Sequence, residues 1–159
     1  MFSYLNYPGI EGSVTASGYK GWIEIIGMRF GSSRAIDDQE GQSGRAPGYT
    51  RFSEIEIIKH SDHSSPYLFQ ETYSGKGLND IKIHICHPGT PPVPHMEYTL
   101  GKVFVSHYEE LFGAGGDKPI EIIHLNFAKI EKKYISYDES NRPEAPAVCG
   151  YDCLTRQVV

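Results

Sequence analysis

The sequence predicts a mainly β protein: a two-sheet antiparallel barrel or sandwich with one short flanking helix, about Ser65–Ser74, and one long protruding loop, about Gly31–Tyr49. Three observations carry this. Seventeen glycines and ten prolines in 159 residues leave few stretches long enough for a helix. Eleven tyrosines and many isoleucines suit a pleated, half-buried surface. Runs such as Asp80–His87, DIKIHICH, alternate apolar and polar residues with the period of a strand. A chain of this length fits a single domain, 1–159, which buries roughly 70% of the surface its unfolded form exposes.

Phe2–Tyr7 reads as a strand ended by Pro8-Gly9, and Gly12–Gly21 as polar loop. Trp22–Phe30 has strong β-propensity, with Gly27 marking a bulge or a close backbone approach. Gly31–Tyr49 has almost no apolar side chain and four glycines, so it reads as an exposed loop that contributes nothing to a core. Loops beyond about 12–15 residues in a compact domain usually have a function. Arg51–Lys59 resumes a strand, with Ile55 and Ile57 alternating against Glu54 and Glu56. Ser65 is placed to cap a helix with Pro66 at its first position, and Gly75 and Gly77 end it. Asp80–His87 puts Ile81, Ile83 and Ile85 on one face and Lys82, His84 and Cys86 on the other. Met96–Tyr108 reads as one further strand, and Ala147–Val159 holds a last edge strand.

Ile120–Tyr134 is ambiguous by itself. Ile120, Ile123, Phe127, Ile130 and Tyr134 form a helical stripe. Ile123, Leu125 and Phe127 equally share one face of a strand, after which the apolar face changes over. The β character of the rest favours a long strand, with Phe127 facing the core and Ile130 and Tyr134 on the opposite face, near an interface.

A formal charge of −5 argues against a nucleic-acid or anionic-membrane partner. No run approaches the ~20 apolar residues of a membrane helix, and the N-terminus lacks the basic region of a signal peptide. The odd count of three cysteines suits a reducing compartment.

The seven histidines raise the question of a metal. His84 and Cys86 share a strand face but His87 points away, so the group is a poor clamp. Neither a G-x-S-x-G elbow nor a phosphate loop is present, and Glu54 with Glu56 reads as a solvated strand face. The residues thus offer no catalytic or metal site and imply no cofactor. A β domain with a long polar protrusion and free strand edges suits assembly, and a stand-alone hydrolytic or metal-binding barrel is the alternative.

Taken in order, GIEGSV, GWIEIIGMRFG, FSEIEIIKHSDHSSPYLFQETYSGK, KVFVSHYE, IIHLNFAKIEKKY and GYD resemble the Hcp family, the haemolysin-coregulated proteins of bacterial type VI secretion systems. The resemblance implies a non-enzymatic tube subunit: six copies close into a ring, and the rings stack. Its partners would be further copies of itself, the sheath, the spike and baseplate proteins, and effectors in the lumen. It also implies assembly in the bacterial cytoplasm followed by export without an N-terminal signal. A head-to-tail ring needs two different edges on each subunit. The expected edges are those carrying Trp22–Phe30 and Ile120–Tyr137, with Trp22, Ile130 and Tyr134 at the interface. Ser33, Arg34, Asp37, Asp38 and Arg45 in the long loop are expected to reach the next ring, and Arg29, Lys82 and His84 to face the lumen.

Overall fold

The computed structural model describes residues 1–37, 46–78, 80–113 and 115–159, and these are mainly in strands. A seven-stranded antiparallel sheet contains β1 (Phe2–Asn6), β2 (Ile23–Ile25), β7 (Ile81–His87), β8 (Val93–Gly101), β11 (Lys129–Tyr134), β12 (Ala147–Asp152) and β13 (Gln157–Val158), in the order β13-β12-β11-β8-β7-β1-β2. A four-stranded sheet contains β3 (Gly27–Arg29), β6 (Ile55–His60), β9 (Phe104–Leu111) and β10 (Ile120–Asn126), in the order β3-β6-β10-β9. Helix α1 (Ser65–Ser74) lies against β9. Between the sheets sits one core of Leu5, Ile23, Ile25, Ile55, Ile57, Ile81, Ile83, Leu100, Val103, Val105, Ile123, Leu125 and others.

Three stretches that read as single strands are each two, one in each sheet: β2 and β3, β8 and β9, β10 and β11. The reason is visible in the spacing of the core residues. Within a strand successive inward residues are two apart, but the step from Ile25 to Met28, from Leu100 to Val103 and from Phe127 to Ile130 is three. The extra residue lets the chain leave one sheet and enter the other while still directing its side chains to the same core. Ile130 is therefore only 5% exposed and packs in the same cluster as Phe127, which corrects the expectation that it lies on the opposite face at an interface. Tyr134, at the end of β11, is 48% exposed.

The segment Gly31–Tyr49 also differs from a plain loop. Its arms pair as a two-stranded ribbon, β4 (Ser32–Asp37) against β5 (Ala46–Phe52), with a register shift between Arg34 and Ile36. Each arm pairs the backbone groups that it turns toward the other, and Phe52 at the end of β5 anchors the ribbon on the core. The helix bounds are as expected, but its cap is Ser64 and not Ser65. The Ser65 hydroxyl instead accepts from the Asp62 N–H at 2.9 Å and from Lys59 Nζ at 3.3 Å.

That last bond belongs to a buried polar network. Lys59 and Glu121 are both 0% exposed, on inward positions of β6 and β10. Lys59 Nζ lies 2.7 Å from Glu121 Oε2 and 3.0 Å from Asp62 Oδ1, so with Ser65 all three ammonium hydrogens have acceptors. The other Glu121 oxygen accepts from Tyr108 at 2.9 Å and Ser61 at 3.0 Å. The network ties the start of α1 to the four-stranded sheet. Replacing Lys59 by Ala leaves Glu121 as an uncompensated buried charge and should cost about 3–5 kcal/mol in urea unfolding. The double variant Lys59→Met, Glu121→Leu should be more stable than Lys59→Ala. A near-neutral Lys59→Ala would show that the pair does not lock the helix.

Candidate assembly surfaces

Among the described residues, no group of three or more His, Cys, Asp or Glu is placed to hold a metal ion. His87 and His95 stack at 4.0 Å beside a cleft lined by Pro91, Tyr134 and Tyr137, with no third ligand to complete a site. What the molecule presents instead is two outer sheet faces, several strand edges and the β4–β5 ribbon.

The outer face of the seven-stranded sheet carries Lys82 and His84 on β7, Glu97 on β8 and Lys133 on β11, with Lys133 3.1 Å from Glu97. Part of it is covered. The segment read as polar loop, 12–21, folds over the sheet and inserts Tyr19 above Tyr4, where Cys86 is fully buried beneath it. The Cys86 thiol donates to the Tyr19 hydroxyl, which lies 3.0 Å from His84 Nδ1. Trp22 packs edge-on to Tyr19 and 4.9 Å from the His84 ring. Gly12 permits this fold-back, since a Cβ there would lie 2.4 Å from the Trp22 carbonyl oxygen. Burial pushes the Cys86 thiol and the Tyr19 hydroxyl up, so neither supplies a nucleophile here. The sequence signal for this cover was the set of aromatic and small residues in 14–22, which the run of glycine and serine obscured.

The outer face of the four-stranded sheet carries one continuous cross-strand row, Arg29, Glu56, His124 and His107, from edge strand β3 to edge strand β9. Glu56 Oε2 lies 3.2 Å from both Arg29 and His124. The row beside it runs Gly27, Ile58, Ile122 and Glu109, apolar at its centre and carrying a carboxylate at the β9 edge, and exposed Ile26 adjoins it through its N–H, which donates to the Ile58 carbonyl. Arg29 therefore lies on the far side of the core from Lys82 and His84, and a single lumen cannot be lined by all three.

Ser33 and Arg34 are exposed on β4 and Asp37 ends it, whereas Asp38 and Arg45 lie outside the described residues. At the ribbon base, Arg156 lies over the Tyr49 ring at 5.4 Å, and Phe52 packs on Phe127 and Tyr151. The edges are also redrawn. β10 lies between β6 and β9, and β11 between β8 and β12, so neither strand of Ile120–Tyr137 is an edge, and the four-stranded sheet ends in β3 and β9.

The family model for the type VI secretion system effector Hcp matches residues 4–134. The chain belongs to the Hcp family. Proteins of this family are secreted components of type VI secretion, and as a member this chain is a structural tube protein and not an enzyme. The same fold recurs in a solved type six secretion system protein, with TM-score 0.92, 22% identity and 99% of each chain covered. It recurs in Hcp1 from Salmonella typhimurium, with TM-score 0.80, 19% identity and coverage of 99% of this chain and 98% of that one. A type VI secretion system effector from Yersinia pestis gives 0.75 at 16% identity, covering 94% and 98%. A comparison with curated protein sequences gives no match.

The His84 environment has a measurable consequence for this Hcp-family chain. Burial holds its pKa below the ordinary 6.5, with Lys82 and Lys133 acting in the same direction and Glu97 opposing them. The unfolded chain thus binds the proton more readily, and the stability contributed above the unfolded pKa is lost as pH falls through the folded one. An NMR titration should place His84 below 6.5. His84→Gln should flatten the decline in stability on acidification; an unchanged decline would assign it to other groups.

Proposed function

We propose that this chain is the subunit of a secretion tube in which six copies close into a ring and rings stack, with room for effector proteins in the lumen. The observation that carries the reading is the four-stranded sheet. It ends in two different free strands, β3 and β9, which is what a head-to-tail ring requires. Pairing β9 of one copy with β3 of the next removes both edges and joins the sheets into one closed barrel. The outer face of that sheet then lines the lumen, with Arg29 in its charged row. Lys82, His84 and Trp22 are left on the outside, where the surrounding sheath would lie, and the spike and baseplate would meet the tube at its end.

Stacking falls to the β4–β5 ribbon, through Ser33, Arg34, Asp37, Asp38 and Arg45. A ribbon that pairs with itself and is anchored to the core at its base by Phe52 can extend beyond the ring without cost to the domain. Assembly would take place in the bacterial cytoplasm, followed by export of the finished tube.

Light scattering after size exclusion should give six times the 17.8 kDa chain mass. Deleting residues 33–47 should leave that mass unchanged and shorten the stacks seen by electron microscopy. Stacks of normal length would remove the ribbon from the contact, and a monomeric intact protein would overturn the ring.

A further inference from the structure

A sheet of seven strands packed on a sheet of four leaves part of its inner face without cover from its own chain. The uncovered part is the far end of β8, β11 and β12. In register there lie Met96 against Tyr134 and Tyr134 against Ala147, and beside them Tyr98 against Lys132 and Lys132 against Cys149. Tyr98 at one end of this shelf is buried, but Lys132, Tyr134, Ala147 and Cys149 are exposed, although they share the inward phase of the core residue Ile130. Lys132 lies over the Tyr98 ring at 5.8 Å. The shelf is thus an apolar and cationic floor on what would be the inside of a wider sandwich.

Elsewhere the molecule has the opposite surplus. Helix α1 buries only Leu68, and it leaves Phe69 51% and Tyr73 68% exposed, packed edge-to-face on each other. Phe69 also meets Tyr108 of β9 at 5.5 Å, and the exposed Glu110 follows two residues on, in the phase of Tyr108. This is an aromatic ridge with a carboxylate beside it, complementary to an aromatic shelf with an ammonium.

The positions of the two surfaces decide the occupant. The Phe30 ring, directly after β3, touches Tyr98 at 5.5 Å, so the shelf adjoins the β3 edge. The ridge adjoins the β9 edge, because α1 packs on β9. The two therefore lie at opposite ends of the four-stranded sheet and cannot meet within one chain, but they come together when β9 of one copy lies along β3 of the next.

We infer that the shelf of β8, β11 and β12 (Met96, Lys132, Tyr134, Cys149) is a docking surface for the α1–β9 ridge (Phe69, Tyr73, Glu110) of a second copy of this chain. This rests on the ring reading above and adds the contact that covers the exposed aromatics. Lys132 approaches Glu110 of the neighbour, and Cys149 lies beneath its helix.

Cys149 makes the test direct, because the shelf already carries a free, exposed thiol. In a Cys153→Ser background, Tyr73→Cys treated with diamide should give a ladder from dimer to hexamer on a non-reducing gel. Ile26→Cys, on the outer face of the other sheet, should give at least tenfold less cross-linked product. Lys132→Glu should weaken the ring, and adding Glu110→Lys should restore it. Rings of normal mass with no Tyr73–Cys149 cross-link, or equal cross-linking from Ile26→Cys, would overturn the docking surface and leave the ring standing. A monomeric background protein would overturn both.

Discussion

The structure depends on one constraint: a single apolar core must be fed by a chain that repeatedly passes from one sheet to the other. Side chains alternate along a strand, so a chain that simply continued across the gap would turn its apolar face outward at the crossing. Three crossings avoid this by spacing successive inward residues three apart, at Ile25 to Met28, Leu100 to Val103 and Phe127 to Ile130. Each crossing also tightens the closure of the sandwich, since it pins one sheet to the other by only one or two residues. The Lys59–Glu121 network completes the layer where apolar filling stops, and it sets the start of α1 against β9.

Much of this was legible in the sequence, and the failures share a cause. The helix bounds were given by Pro66, Gly75 and the aromatic run between them, and the alternation in Ile81–Ile85 gave β7 its correct faces. Ile130 was misplaced because a three-residue step was read as a change of face within one strand, when it is a change of sheet that keeps the face. The ribbon arms were missed because β4 and β5 pair with each other and reach the core through Phe52 at the base, so burial left no period to read along them. Lys59 and Glu121 hold inward phase with Ile57 and Ile123, a signal that their charge concealed.

The surfaces were less legible than the core, because free edges are a property of topology. Nothing in Phe104–Leu111 distinguishes an edge strand from a central one until the strand order is known. The same holds for the shelf, whose exposure follows from seven strands facing four. Arg29, Lys82 and His84 each satisfy the alternation expected of an outward residue, yet they belong to opposite faces of the molecule. Strand alternation tells inside from outside, and only pairing tells which outside.

An imbalance of sheets that leaves two unlike edges and one unfilled shelf describes a domain completed by its neighbour, which agrees with the structural character of the Hcp family. The most direct measurement is a high-resolution electron-microscopy structure of the assembled ring. The account predicts backbone hydrogen bonds between β9 of each copy and β3 of the next, with the Arg29–Glu56–His124–His107 row facing the lumen. A ring joined through β2 and β13 of the larger sheets, with that row on the outside, would contradict it.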